Sequence, residues 1–213
     1  MNLPNKLTLT RIFMIPVFVL FFYLDVMNGW NYFAAAVVFV LAAATDALDG
    51  HIARSRGLVT NLGKFLDPIA DKVLVSTALI LLLTRMEAFW QPFALFGGDA
   101  ARAASLMTVV AGVCVALILA RELIVSGFRM VAAERDLVIA ADKLGKVKTT
   151  FQDASVAFLL VGLSFSASAA GQVIGFAGIV LFVACTVLTV ISGINYIVRN
   201  RGVLTEAKEE TQA

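Results

Sequence analysis

Two pairs of aspartates stand close together in a mostly apolar chain: Asp46 with Asp49, and Asp67 with Asp71. At ~100° per helical residue, a spacing of three or four places each pair on one helix face. Each carboxylate at membrane depth costs ~2.5–3.5 kcal/mol on insertion scales, and such groups are functional by default. Four of them in one place would also repel. One or two divalent cations relieve both problems. An all-oxygen donor set with no Cys or His ligand set beside it points to Mg2+ or Mn2+. Gly50 and Ala53 share the arc of Asp46 and Asp49. Their small side chains leave room for a substrate to come close to the metal. Helix-end charges facing water would account for one such aspartate, but not for four at these positions. His51, the only histidine, reads as a neutral or interfacial residue. Cys114 and Cys185 sit in apolar stretches without disulfide or ligand spacing and read as small buried hydrophobes.

The elements that must position these residues are membrane helices. The chain has 213 residues and is 60% hydrophobic, against roughly 45–50% in soluble domains. The excess lies in runs long enough to cross a bilayer, about 20 residues as a helix. Six spans are expected, near 9–27, 32–54, 63–83, 106–132, 147–167 and 173–198. The fold class is therefore all-α, an integral membrane bundle of six transmembrane helices. The mixed segment Asn2–Thr10 adds a short N-terminal interfacial helix. The apolar run Ile12–Leu24 follows Lys6 and Arg11 like a signal peptide, but no small-residue cleavage site comes after it. It reads as a retained first span. Residues 85–105, with Phe89, Trp90, Phe93 and Phe96, suit an interfacial hairpin. Residues 1–201 form a single transmembrane catalytic domain on this reading, and 202–213 a polar, disordered tail.

Charge placement sets the orientation. Six spans put both ends on one side. Of the 17 Lys and Arg, all but Arg85 and Arg102 fall on that side. By the positive-inside rule it is cytoplasmic, and in a bacterial cell the membrane is the inner one. The aspartates lie at the same face. A formal net charge of +2 gives no case for nucleic-acid binding.

The string D-x-x-D-G-x-x-A-R-x8-G-x-x-x-D-x-x-x-D, from Asp46 to Asp71, resembles the signature of the CDP-alcohol phosphotransferase family at every fixed position. The resemblance implies a six-helix, homodimeric membrane enzyme. It implies that Asp46, Asp49, Asp67 and Asp71 ligate the metals and that Asp71 is also the general base. Gly50, Ala53, Arg54, Thr60 and Gly63 would hold the CDP-lipid, with Asn5 and Thr8 adding contacts from the N-terminus. The chemistry suits the residues: metal ions neutralise a pyrophosphate, CMP leaves, and an alcohol attacks the phosphorus nearest the lipid.

The acceptor is to be read from the second half. Arg121 and Arg129 stand eight apart on one helix, with Glu122 beside the first, and Lys143, Lys146 and Lys148 enter the fifth span. Such a cluster suits an anionic acceptor bearing a phosphate. Arg121, inside an apolar run, Arg129 and Lys146 are read as acceptor-phosphate ligands, and Lys143 as an exposed anchor. The strings R-E-x-x-V-S-G-x-R and G-K-x-K-T, with the opening N-L-P-N-x-L-T-x-x-R, resemble those family members that use glycerol 3-phosphate. That resemblance implies CDP-diacylglycerol as donor, with phosphatidylglycerophosphate and CMP as products. The alternatives are family members that make cardiolipin, phosphatidylserine or phosphatidylinositol phosphate. From another class, a cation transporter would also carry intramembrane carboxylates. It would leave the glycine and arginine spacing unexplained, and no inverted repeat is visible.

Overall fold

A computed structural model describes the chain at residues 3–24, 29–56, 61–90, 100–134 and 143–200. For 3–7, 46–56, 61–68, Asp71 and a few helix-terminal positions it describes the backbone alone. The described residues are helical, with no strand: α1 (Leu3–Tyr23), α2 (Trp30–Arg56), α3 (Asn61–Leu83), the short α4 (Glu87–Trp90), α5 (Ala100–Glu134), α6 (Lys143–Ser164) and α7 (Ala169–Arg199). The six long helices coincide with the six apolar runs of the sequence.

One expectation is corrected. The N-terminal segment is not a separate interfacial helix but the opening turns of α1, which continues unbroken from Leu3. Pro4 falls in the first turn, where a missing N–H costs nothing. Pro16 is carried inside the helix. The 85–105 region contributes α4, with Phe89 buried; residues 91–99 lie outside the described part.

The core runs through all six long helices: Phe18 and Phe22 of α1, Phe39 of α2, Leu74 and Leu82 of α3, Ile118 of α5, Leu159 and Leu160 of α6, and Phe182 of α7. The polarity is that of a protein in lipid. Arg11, Lys148, Gln152, Ser155, Thr189 and Ser192 are buried, while Val109, Val113, Leu123, Val183, Val187 and Ile194 are exposed. Two helical segments, Ala104–Ala132 and Ala169–Arg199, are long and apolar enough to cross a membrane. Thr8–Tyr23, Trp30–Thr45 and Lys72–Leu83 are shorter apolar runs.

Glycines bring α6 and α7 together. A Cβ on Gly162 would stand 2.6 Å from Cα of Gly175, and one on Gly178 would stand 2.9 Å from Cγ of Leu159. Small residues allow such close backbone approach between membrane helices. α7 opens on Ser168, whose side chain accepts from the N–H of Gly171 at 3.0 Å, and closes on Asn200. The α1–α2 turn is fastened to the end of α6. Gly29 there has φ +93°, Ser164 Oγ donates to its carbonyl at 2.9 Å, and Phe165 packs edge-on to Trp30. The opposite end of the bundle holds the start of α1, the end of α2, the start of α3, the end of α5, the start of α6 and the end of α7. The signature aspartates and the second-half cations all belong there.

Candidate active site

Asp46 and Asp49 occupy the last three turns of α2, and Asp67 and Asp71 lie in the first three turns of α3. The two helices are consecutive and touch. The backbone therefore brings both pairs to one end of adjacent helices, at the register that the spacing requires. The side chains of all four lie outside the described residues, as do those of Asn5, Gly50, Ala53, Arg54 and Gly63, and Thr60 altogether.

Beside this end, α1 contributes two buried polar residues. Thr8 is fully buried. Arg11 is buried as well, and its Nε donates to the Ala42 carbonyl at 3.3 Å, one turn before Asp46. A guanidinium buried against a carbonyl keeps a charge-assisted bond that is about twice as strong as a neutral one. Arg11 thus ties α1 to the turn of α2 that leads into the signature.

The second-half cations form a described cluster. Glu122 of α5 is its hub: Oε1 accepts from Arg121 Nη1 at 3.3 Å and also from Lys148 Nζ of α6. Arg121 Nη2 donates to Ser192 Oγ of α7 at 3.1 Å. Lys72 Nζ of α3 meets Ser126 Oγ of α5, and Ser126 in turn donates to the Glu122 carbonyl at 2.6 Å. Four helices therefore supply one polar knot. A cavity of about 30 Å³ opens in it, lined by Lys72, Ser76, Glu122, Lys148, Thr149 and Gln152 among others. It is room for a water, or for an oxygen of a ligand.

Space for Arg121 is made by glycine. A Cβ on Gly193 would stand 2.9 Å from Arg121 Cγ, and one on Gly145 would stand 3.8 Å from Nη2. Deeper in the bundle the polar seam continues along α6 and α7. Cys185 Sγ lies 4.0 Å from Gln152 Oε1 and 3.9 Å from Thr189 Oγ1.

The structure does not treat the sequence-derived acceptor residues alike. Arg121 is within the cluster. Lys146 is exposed on the outer face of α6. Arg129 is also exposed, and its Cζ lies 6.0 Å from the ring centroid of Tyr196. Lys72 stands out in the sequence as a cation at membrane depth, like Arg11 and Arg121, while Lys148, Glu122, Ser126 and Ser192 are not among the site residues the sequence suggests. The packing of α6 is what distinguishes Lys148. It falls four before Gln152 and eight before Val156, both buried, whereas Lys146 falls four before the exposed Thr150.

Residues 1–191 match the family model described as CDP-alcohol phosphatidyltransferase. The chain is 38% identical over 198 residues to the CDP-diacylglycerol–glycerol-3-phosphate 3-phosphatidyltransferase of Escherichia coli strain K12, covering 92% of this chain and 93% of that one. The proteins of that name from Shigella sonnei strain Ss046 and Shigella flexneri serotype 5b match to the same extent. With a signature of four aspartates set at the meeting end of α2 and α3, and a family match that runs through nearly its whole length, the chain belongs to the CDP-alcohol phosphatidyltransferase family.

Proposed function

We propose that the protein transfers the phosphatidyl group of CDP-diacylglycerol to glycerol 3-phosphate, giving phosphatidylglycerophosphate and CMP in phospholipid biosynthesis. The observation that carries the reading is the match to relatives of that named activity along almost all of both chains. The cluster of Lys72, Arg121 and Lys148 around Glu122, at the end of the bundle where the signature lies, supports the choice of a phosphate-bearing acceptor.

Asp46, Asp49, Asp67 and Asp71 would hold one or two Mg2+ or Mn2+ ions. The donor set fits: four carboxylates at one end of two touching helices, at helix-face spacing. When bound, the metal supplies countercharge to the pyrophosphate of the donor and to the departing CMP. Gly50, Ala53, Arg54, Thr60 and Gly63, with Asn5 and Thr8 from α1, hold the CDP-lipid. Arg121 receives the acceptor phosphate with Lys148 beside it, and Arg129 and Lys146 add positive charge from the exposed surface. The acceptor hydroxyl attacks the phosphorus nearest the lipid, and an O–P bond forms. Asp71 takes the hydroxyl proton. The bond from that phosphorus to the bridging oxygen breaks, and CMP leaves with the electron pair.

The six long helices span the bilayer on this reading, as a single catalytic domain over residues 1–201. Both termini and the site face the cytoplasm, the membrane is the bacterial inner membrane, and two copies form a homodimer. An acceptor screen with the purified protein and CDP-diacylglycerol tests the function. CMP release and a new lipid are expected with glycerol 3-phosphate and not with serine, inositol phosphate or phosphatidylglycerol. Turnover with one of the others in its place would reassign the acceptor within the family.

A further inference from the structure

We infer that Glu122 is a positioning residue for the acceptor: a resident carboxylate that aims Arg121 and Lys148 at the phosphate monoester and sets the charge of its receptor. The inference rests on the proposed use of a phosphate-bearing alcohol.

Arg121 and Lys148 come from different helices, yet both bind the one Oε1 of Glu122. Lys148 is nearly fully buried, with its side chain 3% exposed. A lysine so placed has a long, flexible stem and a strongly hydrated head. Left without a carboxylate, it would turn toward water and leave the cavity. Arg121 is held from two sides, by Glu122 and by Ser192 of α7, while its buried Nε has no partner among the described residues. A guanidinium fixed in this way keeps N–H donors for a ligand.

Charge gives the second argument. Among the described side chains of the cluster the cations Lys72, Arg121 and Lys148 outnumber the one carboxylate, Glu122, so the pocket stays cationic and suits a phosphate monoester, which carries about −1.5 to −2 at neutral pH. A phosphodiester headgroup carries one charge, and a free amino acid such as serine carries none overall. Without Glu122, three cations would crowd an apolar setting and repel. With it, the site is close to preassembled, and the phosphate enters without first gathering its partners. Such preorganisation lowers the cost of binding.

The test separates positioning from mere burial of charge. Glu122→Gln keeps the size and a carbonyl oxygen for Lys148 but removes the charge. Glu122→Asp keeps the charge but shortens the reach. Purified variants are assayed for CMP release across glycerol 3-phosphate and CDP-diacylglycerol titrations, and for thermal unfolding in detergent. Glu122→Gln is expected to raise the KM for glycerol 3-phosphate by about tenfold or more, the scale of one charge-assisted bond. The KM for CDP-diacylglycerol should stay within a few-fold, and Glu122→Asp should recover part of the loss. Because Glu122 acts through Lys148 as well as Arg121, Glu122→Gln should cost less in a Lys148→Met background than in the parent, and equal costs in both would sever Glu122 from Lys148. An unchanged glycerol 3-phosphate KM in Glu122→Gln, with Lys148→Met and Arg121→Ala both impaired, would overturn the role of Glu122 and leave the acceptor site standing. If Lys148→Met and Arg121→Ala also leave that KM unchanged, the acceptor site itself is elsewhere and the inference falls with it.

Discussion

Gly193 of α7 and Arg121 of α5 occupy one another's space: the position a Cβ would take on Gly193 is 2.9 Å from Arg121 Cγ. The contact is with the stem of the arginine, so a side chain at 193 would displace the guanidinium rather than brush its tip. Gly193→Val should therefore weaken use of glycerol 3-phosphate several-fold or more while leaving the CDP-diacylglycerol KM near its starting value. Initial rates over both titrations check it. Equal effects on both substrates would mean that the glycine serves helix packing alone.

Arg121→Ala and Lys148→Ala should each raise the acceptor's KM by ten- to a hundredfold, since a bond to a charged group contributes ~1.5–3 kcal/mol. Arg121→Lys should recover only part of the loss, because a point charge does not replace a planar fork. Lys146→Ala should cost less than Lys148→Ala, its side chain being exposed. Lys143→Ala, read as an anchor, is the control. The measurement is a glycerol 3-phosphate titration at saturating CDP-diacylglycerol.

Asp71→Asn should separate binding from chemistry. The substitution keeps the shape and removes the proton acceptor. CMP release should fall by at least ~10²-fold, the lower range for general-base catalysis, with CDP-diacylglycerol binding kept within a few-fold. Joint collapse of binding and turnover would make Asp71 chiefly a ligand, and near-normal turnover would exclude both roles.

Exhaustive chelation should abolish CMP release, and Mg2+ or Mn2+ should restore it. The carboxylates need a countercharge, and the pyrophosphate needs a Lewis acid. Full turnover in the presence of excess chelator would remove the metal from the reaction.

Topology is open to labelling from outside intact cells, with Cys114 and Cys185 replaced by alanine. A membrane-impermeant thiol reagent should miss Gly57→Cys and Ala140→Cys and reach Gly98→Cys, as the Lys and Arg asymmetry requires. The reverse pattern would turn the active site to the other face.

The helices were legible because apolar runs leave few alternatives to helix in lipid, and each long helix overlaps such a run; among the described residues two of them, in α5 and α7, are long and apolar enough to cross a membrane. The break expected near Thr10 was not there. Mixed polarity in Asn2–Thr10 suggests a change of element, whereas Thr8 and Arg11 are buried within the bundle and Arg11 bonds the Ala42 carbonyl of α2. The aspartates stand out in the sequence by their spacing, and the backbone sets their positions at one end of α2 and α3, while their side chains lie outside the described residues. The cation cluster was only half legible. Arg121 stood out as a charge inside an apolar helix. Lys146 and Lys148 are two apart, and so point to opposite sides of α6; only the burial of Gln152 and Val156 on the Lys148 face tells which side is inward. Ser126 and Ser192 carried no signal, since a serine in a membrane helix is as often packing as ligand. Their meaning comes from partners on other helices.

Lys72 follows Asp71 directly on α3, and its ammonium reaches Ser126 on α5. On the proposed assignment, a single helical wall serves at once the donor's half of the site and the acceptor's. Adjacent side chains on such a wall diverge by ~100° and cannot drift apart. The wall acts as a caliper. If the acceptor's phosphate is seated by α5 and α6, its hydroxyl must arrive at a distance fixed by the thickness of α3. Choice among alcohols then becomes a question of length. A homologue with one carbon more or less between hydroxyl and phosphate would still dock, yet present its oxygen to the wrong place.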